Sequence, residues 1–349
     1  MNTEDIKVLV VDDSGLMRLI ISDILNSEPG MCVVGTAEDG KEAVAKSRKL
    51  KPDVILLDLN MEKYDGLYAV KHILRRQEIP IIILSAVGNT NLEPVLEALK
   101  LGAFDYLNKP KENKAKVRKI ETEIVNKVRA AAASNKKILS SSTAPIKRNN
   151  GMHTFSESTS HDIIVIGAST GGPTALENII KKLPVNLPVP VIIAQHMPAN
   201  FVHSFANRLD GLTPLKVKVG MKDDVLCAGE IIVAPGSRNM IVKRDGSGRV
   251  VIGFTTKQYA EFNNPSINAL MLSVAEVYGR RAIGTILTGM GKDGANGLEA
   301  MFKKGAFTIG QNKDTSIVYG MPKEVADRNV IKSCVSIQGM AGFIVSCIS

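Results

Sequence analysis

Two runs of short β-branched strands that alternate with helical segments constrain the fold of this 349-residue chain more than any other feature. Strands that alternate with helices form parallel sheets, because each strand needs a crossover to reach the next. We therefore predict an α/β fold in both halves. The predicted strands are Lys7–Val11, Cys32–Ala37, Val54–Leu57, Ile81–Leu84 and Asp105–Leu107 in the first run, and Ile163–Ile166, Val189–Ala194, Leu215–Val219, Glu230–Ala234, Val250–Phe254 and Ile283–Leu287 in the second.

A segment rich in Ser, Ala, Asn and Lys separates the two runs and lacks sustained apolar spacing, as a tether does. It predicts a first domain over 1–128, a linker over 129–160 and a second domain over 161–349. Residues 109–148 hold twelve Lys and Arg against three Glu, which accounts for the whole net charge of +9. A basic segment can contact an acidic partner or RNA. Because no aromatic residues are interleaved for base stacking, solvated linker charge is the favoured interpretation, and no nucleic acid partner is expected.

The chain shows no sign of secretion or membrane insertion. Its first residues are acidic rather than signal-like, and it has no run of about 18 apolar residues. The four cysteines, at positions 32, 227, 334 and 347, have neither zinc-type spacing nor a disulfide framework. These features predict a cytoplasmic protein.

Polar residues follow the strands of the first half at their carboxyl ends. Asp12 and Asp13 follow the first strand, Asp58 the third, Ser85 the fourth and Lys109 the fifth. Three carboxylates at neighbouring strand ends repel one another unless a divalent cation lies among them, and oxygen ligands suit Mg²⁺. The hydroxyl and the ammonium could then hold a phosphoryl group on one Asp.

In the second half a glycine-rich turn, "GASTGG", follows the first strand and holds Ser169. A P-loop would place Lys after its last Gly, whereas here Gly172 is followed by Pro173. A dinucleotide fingerprint would need different Gly spacing and a later acid. Gly-x-Ser-x-Gly instead matches a strained turn that exposes a serine nucleophile. A purely structural glycine turn is the alternative at this point.

A serine nucleophile needs a base and a group that orients the base. Of the five histidines, His196 follows a strand in "AQHMP", where a parallel sheet would bring it beside Ser169, whereas His203 fits the surface of the next helix. Asp293 lies in the glycine-rich "LTGMGKDG", after another strand. Its alternative role is that of a turn or helix-capping acid. The order Ser, His, Asp differs from that of the α/β-hydrolases.

Taken together, these motifs resemble two known families. Residues from about 7 to 128 are similar to a response-regulator receiver domain. "GASTGG", "AQHMP", "VAPG", "NPSIN", "LTGMGKDG" and "YGMPKE" occur in the order found in the CheB family of chemotaxis protein-glutamate methylesterases. The resemblance implies a flavodoxin-like receiver domain with a parallel five-stranded sheet, linked to a doubly wound α/β esterase domain with a mostly parallel sheet.

The resemblance also implies a role for each matching residue. In the second domain it gives Ser169 as nucleophile, His196 as general base, Asp293 as orienting acid, the Met290 backbone N–H as oxyanion donor and Thr170 as a contact of the histidine. In the receiver it gives Asp58 as the phosphorylated residue, Asp12 and Asp13 as Mg²⁺ ligands with Asp58, Ser85 and Tyr106 as switch residues and Lys109 as the phosphate-binding lysine.

The implied reaction is hydrolysis of glutamate γ-methyl esters on chemoreceptors with release of methanol, together with deamidation of specific receptor glutamines. The esterase chemistry needs no cofactor, and Mg²⁺ serves the receiver. A CheA-type histidine kinase would be the phosphodonor. Four positions depart from the family patterns, namely Glu62, Asn239, Asn264 and Asn268, and the asparagines could change which receptor helices are recognised.

Two other classes of function stay open at the level of sequence. One is a regulator that kept the fold but only binds, which methanol release from methylated receptors would exclude. The other is a DNA-binding response regulator, although the second half shows no helix-turn-helix pattern.

Overall fold

The structure is a computed structural model that describes residues 5–85, 93–109, 114–134, 161–259 and 264–348. The chain divides into two compact units, Met1–Thr143 and Ala144–Ser349. Among the described residues, no helix combines the length and the apolar character that a membrane crossing requires.

The first unit is a five-stranded parallel sheet in the order β2-β1-β3-β4-β5. Polar side chains cap the starts of three helices, where Ser14, Asp39 and Asp65 each accept a backbone N–H of the first turn. The strand order reverses between β1 and β3, so the loops after these strands face a common crevice. The elements are β1 Ile6–Val11, α1 Gly15–Asn26, β2 Met31–Ala37, α2 Gly40–Leu50, β3 Val54–Asp58, α3 Gly66–Leu74, β4 Ile81–Ser85, α4 Glu93–Lys100, β5 Asp105–Asn108 and α5 Lys114–Ala132.

The second unit is built on a seven-stranded parallel sheet in the order β14-β13-β12-β6-β7-β9-β8. The central strands β6, β7 and β12 are buried along their whole length and are almost entirely apolar, as expected when helices cover both faces of a sheet. Its elements are β6 Ile163–Ala168, α6 Gly172–Ile180, β7 Val191–Gln195, α7 Ala199–Asp210, β8 Lys216–Val219, β9 Glu230–Val233, β10 Asn239–Arg244, β11 Val250–Thr255, α8 Ile267–Tyr278, β12 Ala282–Ile286, α9 Ala295–Lys303, β13 Phe307–Gln311, α10 Met321–Asp327, β14 Ser333–Val335 and α11 Ile337–Ser346.

The predicted fold class is confirmed in both units, and the strands predicted for the first unit are all present. In the second unit the sequence analysis missed β10, β13 and β14. It also predicted Val250–Phe254 as a strand of the parallel sheet, which is wrong: β11 pairs antiparallel with β10 in a separate hairpin. The cause is the tight turn at 245–248, where Asp245 accepts the backbone N–H groups of Ser247 and Arg249 and so folds the chain back on itself.

Helix α5 runs to Ala132 and buries Ala131. The first residues of the segment predicted as a linker, 129–132, are therefore helical. Residues 135–160 lie outside the described residues, so the predicted domain limits and the tether stay predictions.

Candidate active site

Ser169 lies at the carboxyl end of the central strand of the second unit. β6 ends at Ala168, and the chain then turns through Gly171, whose φ is +75°, into α6. The Ser169 N–H donates to the Thr288 carbonyl at 3.1 Å, which ties the turn to the loop after β12. The serine is therefore fixed from its own backbone, at the point where the strand order reverses and open α/β sheets bind ligands.

Gly289 allows these two loops to approach closely. A Cβ at position 289 would lie 2.7 Å from the Ser169 Cβ and 2.4 Å from the Met321 sulfur, closer than real Cβ contacts. Any side chain here would push the serine turn away. Met290, the predicted oxyanion donor, follows this glycine directly, and its catalytic role stays a prediction.

His196 follows the adjacent strand β7, and its N–H donates to the Ala168 carbonyl at 3.0 Å. Its imidazole Nδ1 lies 3.1 Å from the Ser169 Oγ, and its Nε2 lies 2.8 Å from the Asp293 Oδ2. With Nε2 protonated and donating to the carboxylate, the Nδ1 lone pair accepts the serine hydroxyl. The structure thus brings the three residues together in one hydrogen-bonded chain, from three adjacent strands.

Asp293 is 1% exposed and accepts hydrogen bonds at both carboxylate oxygens. Oδ2 accepts the Ile267 N–H at 2.8 Å in addition to His196, and Oδ1 accepts the N–H groups of Asn268 and Gly294 at 2.9 Å. The Ser266 hydroxyl lies 3.4 Å from Oδ1. The acid is therefore held at the N-terminus of α8, a helix other than the one that follows it in the chain.

This position explains the charge state of the acid. Burial by itself raises the pKa of Asp293, but the hydrogen bond and charge of His196 and the N–H groups of Asn268 and Ile267 outweigh it. The pKa therefore lies below its ordinary value, and the carboxylate is ionised at neutral pH. The positive end of the helix dipole acts in the same direction. An ionised acid keeps Nε2 of His196 protonated and oriented.

Sequence reasoning missed the residues that hold the hydrogen-bonded chain of Ser169, His196 and Asp293 in place. Gln195, 2% exposed, donates from Nε2 to the carbonyls of Ser169 and His196, at 3.0 and 2.9 Å, and so joins the Ser169 turn to the backbone of His196. A Cβ at Gly172 would lie 2.0 Å from the Gln195 Oε1, so the glycine makes room for this amide. The position of Gln195, last in its strand before the predicted base, was the available signal.

Two of the three asparagines that depart from the family patterns, Asn239 and Asn268, bind backbone groups of the loops and helices around Asp293. Asn239 accepts the Ser266 N–H at 2.9 Å, and Asn268 accepts the Gly297 N–H at 2.8 Å. Asn268 is 1% exposed, so a direct role in receptor recognition does not fit its position, whereas Asn264 is exposed. Thr170 is buried and its carbonyl accepts the Thr288 hydroxyl at 3.0 Å. Its predicted contact with His196 stays a prediction.

The other histidines have different surroundings. His203 is exposed on α7, in agreement with its predicted surface position. His161 is buried and its Nδ1 lies 2.7 Å from the Cys347 carbonyl, whereas His72 stacks on Tyr68 in the first unit.

The first unit brings its predicted site residues together at the carboxyl ends of β1, β3 and β5. One carboxylate oxygen from each of Asp12, Asp13 and Asp58 lies within 4.8 Å of the others. Lys109 Nζ lies 2.7 Å from Asp12 and 2.8 Å from Asp58. Burial raises the pKa of Asp58 despite the hydrogen bond from Lys109.

Two observations bear on what this cluster could hold. Asp58 Oδ1 is buried and has no hydrogen-bond partner within the described part of the chain, and three carboxylates offer hard oxygen ligands. Ser85 is buried at the end of β4, and its carbonyl accepts the Lys109 N–H at 2.7 Å. The donor set therefore fits a divalent cation with a phosphoryl group beside it.

Tyr106, the predicted aromatic switch residue, is also buried, and Lys127 Nζ lies 5.4 Å from the centre of its ring.

Comparison with known proteins agrees with this geometry. A family model described as CheB methylesterase matches residues 164–344, slightly more than half of the chain, and one described as response regulator receiver domain matches residues 8–121. The chain belongs to the CheB methylesterase family. Both domains expected from the sequence resemblance are thus confirmed for this CheB family member.

Relatives match over nearly the full length. A protein-glutamate methylesterase/protein-glutamine glutaminase of Caldanaerobacter subterraneus subsp. tengcongensis is 42% identical over 93% of this chain and 91% of its own. A relative of the same description in Pyrococcus abyssi is 37% identical over 95% and 91%. The crystal structure of the Thermotoga maritima CheB methylesterase catalytic domain, 34% identical, covers 54% of this chain and 99% of that chain with a TM-score of 0.52.

Proposed function

We propose that this protein is a phosphorylation-regulated hydrolase of the cytoplasm that removes methyl groups from glutamate γ-methyl esters of chemoreceptors and deamidates specific receptor glutamines. The hydrogen-bonded chain from Ser169 through His196 to Asp293 carries this proposal. The family membership supports the substrate class, since relatives are described as protein-glutamate methylesterase/protein-glutamine glutaminase.

In the proposed mechanism the Ser169 hydroxyl loses its proton to Nδ1 of His196 as its oxygen attacks the ester carbonyl. Asp293 stabilises the imidazolium through Nε2. The tetrahedral oxyanion accepts the Met290 N–H, and Nδ1 returns the proton to the departing methoxide, which leaves as methanol. Water, activated by the same imidazole, then hydrolyses the acyl-enzyme to a glutamate carboxylate and free serine. With a glutamine substrate, ammonia leaves in place of methanol.

The methylesterase proposal is tested by methanol release from methylated receptor membranes. Wild-type protein should release methanol, and Ser169→Ala should lose at least about 10⁴-fold of the rate because the nucleophile is gone. Ser346→Ala, an exposed serine on the last helix, is the matched control and should keep the wild-type rate. Near-normal release by Ser169→Ala would contradict the mechanism. Mass spectrometry of receptor peptides would show which sites change from ester or amide to acid.

For the receiver we propose that Asp12, Asp13 and Asp58 hold Mg²⁺ and that Asp58 accepts a phosphoryl group from a CheA-type histidine kinase. The cation would neutralise the charge that accumulates when a phosphoryl group approaches three carboxylates. Lys109 would bind the phosphoryl oxygens, and the Ser85 hydroxyl would donate to them, with Tyr106 responding as a switch residue. The closely spaced carboxylates and the unpartnered Asp58 Oδ1 support this assignment.

Regulation is tested on the full chain with a small phosphodonor and Mg²⁺. Esterase activity should rise on addition of the donor to wild type, and Asp58→Ala should abolish the rise while leaving basal activity. Asp23→Ala, an exposed aspartate on α1, is the matched control and should respond like wild type. Activation that persists in Asp58→Ala would place phosphorylation elsewhere.

A further inference from the structure

A groove of about 550 Å³ opens in the second unit at the base of the β10–β11 hairpin. We call it the basic groove. Of its cations and aromatic rings, Arg238 directly precedes β10, Phe254 lies on β11, and Lys257 and Tyr259 follow β11. Its lining includes Arg238, Asn239, Phe254, Lys257, Tyr259 and Asn264.

The basic groove lies beside the proposed catalytic chain. Gly236, two residues before Arg238, approaches the loop after His196 so closely that a Cβ there would lie 2.4 Å from the Met197 carbonyl oxygen. On its inner side, Asn239 accepts the N–H of Ser266, whose hydroxyl faces Asp293. Burial and the charge of Asp293 both raise the pKa of the Tyr259 phenol, as expected for a neighbour of the acid.

Among the described residues, the charge of the groove is one-sided. Arg238 and Lys257 are exposed, and none of the described residues that line the groove is an aspartate or glutamate. The Arg238 guanidinium lies 5.7 Å from the centre of the Phe254 ring, and Lys257 Nζ lies 5.5 Å from that of Tyr259. These contacts hold each cation over an aromatic face, and neither cation forms an ion pair with a carboxylate of the described residues.

The buried carboxylate of Asp293 offsets only part of this charge, because Arg238 and Lys257 are two exposed cations. Asp293 is buried and its carboxylate already accepts the imidazole and three backbone N–H groups. Asn264 and Asn239 add neutral hydrogen-bonding groups. A substrate segment that enters the groove therefore meets two cations, amides and two aromatic rings, a surface complementary to a carboxylate on a short aliphatic stem.

We propose that the basic groove binds an acidic side chain of the substrate protein, one helical turn from the glutamate ester that Ser169 attacks. The proposal rests on the function proposed above. Residues three and four apart share one face of a helix, so a helical substrate can present the ester and a neighbouring carboxylate together. The groove thus selects, among glutamate esters, those with an acidic neighbour.

Two helical peptide esters test this selectivity. Each carries one glutamate methyl ester, flanked three and four residues away by Glu in one peptide and by Gln in the other. Exposed ion pairs contribute modestly, so we expect wild-type kcat/KM to favour the Glu-flanked peptide by about 3- to 10-fold at low salt. The preference should shrink strongly in 1 M NaCl, where the screening length is about 3 Å.

Substitutions in the groove should change the preference in both directions. The double variant Arg238→Gln/Lys257→Gln should bring the ratio of the two rates close to one, and Asn264→Arg should raise it about 2- to 3-fold. Lys243→Gln is the matched control, because Lys243 lies on the same hairpin near its turn, where it contacts Asp223. The ratio of kcat/KM for the Glu-flanked peptide to that for the Gln-flanked peptide should be the same in Lys243→Gln as in wild type.

The proposal is overturned if wild type hydrolyses both peptides equally, or if the double variant keeps the full preference. Failure of the proposed function looks different, because wild type would then release methanol from neither peptide. In that case fluorescence anisotropy with the same peptides tests the groove without turnover. The proposal is supported if wild type binds the Glu-flanked peptide more tightly than the Gln-flanked peptide and the double variant loses this difference. Equal binding of the two peptides by wild type refutes it.

Discussion

Replacing Asp293 by Asn tests most directly how the proposed catalytic chain works. The carboxylate has donors at both oxygens: His196 and the Ile267 N–H at Oδ2, and the N–H groups of Asn268 and Gly294 at Oδ1. A carboxamide has a single oxygen and can satisfy only one of these pairs. The oxygen should take the Oδ1 position, where two backbone N–H groups need an acceptor, because on the other side the imidazole can shift its proton and only the Ile267 N–H is left without one. The NH₂ group then faces Nε2 of His196.

The consequence for the imidazole follows from proton counting. An NH₂ group can only donate, so Nε2 must accept and the ring proton moves to Nδ1. Nδ1 then has no lone pair for the Ser169 hydroxyl, which lies 3.1 Å away. In serine hydrolases, holding the histidine base in the wrong tautomer reduces kcat by about 10⁴-fold. We expect a similar loss for Asp293→Asn.

The same substitution also destabilises the second unit. The buried Ile267 N–H loses its acceptor, and a buried unsatisfied donor costs about 1–3 kcal/mol. In a domain of this size that corresponds to a decrease in Tm of roughly 2–12 °C. The protein should still be folded at 25 °C, which circular dichroism would verify before activity is measured.

The assay compares methanol release and Tm for wild type, Asp293→Asn and Asp314→Asn. Asp314 is exposed and serves as the matched control, so its variant should match wild type in both measurements. If folded Asp293→Asn keeps kcat/KM within about 10-fold of wild type, the tautomer argument is refuted. A decrease in Tm without a loss of activity would show that the acid only holds α8 in place.

Three further predictions concern the same site. His196→Ala should reduce kcat by at least about 10⁴-fold, and the double variant with Ser169→Ala should be little worse than either single variant, since the residues act as a unit; additive losses in the methanol assay would contradict this. Gln195→Leu removes two hydrogen bonds that position the serine and the base, so kcat should decrease about 10-fold with KM unchanged, and a change confined to KM would contradict a positioning role. The folded-state pKa of Asp293 is lowered, so its contribution to stability is complete above the unfolded-state pKa of about 3.9 and is lost as pH falls through the folded-state pKa. The Tm difference between wild type and Asp293→Asn should therefore shrink below about pH 4. A Tm difference that stays constant with pH would argue against this linkage.

The sequence alone determined the fold class and the members of the proposed catalytic chain. Alternating strands and helices allow few arrangements other than parallel sheets, and the carboxyl ends of neighbouring parallel strands meet at one edge. Ser169, His196 and Asp293 each follow a predicted strand, so their meeting followed from local patterns. The carboxylates of the first unit were found in the same way.

Only the tertiary structure decided how these groups are held. The acid is bound by the first N–H groups of α8, about 25 residues earlier in the chain, and no local pattern specifies which helix end reaches a given carboxylate. The buried position of Asn268 has the same origin, since it depends on how α8 packs beside α9. Strand periodicity likewise could not reveal that β10 and β11 leave the main sheet as a hairpin, because a buried strand has the same pattern in either pairing. Hydrophobic periodicity records which face of an element is buried, whereas the partner that buries it is chosen by packing over the whole domain.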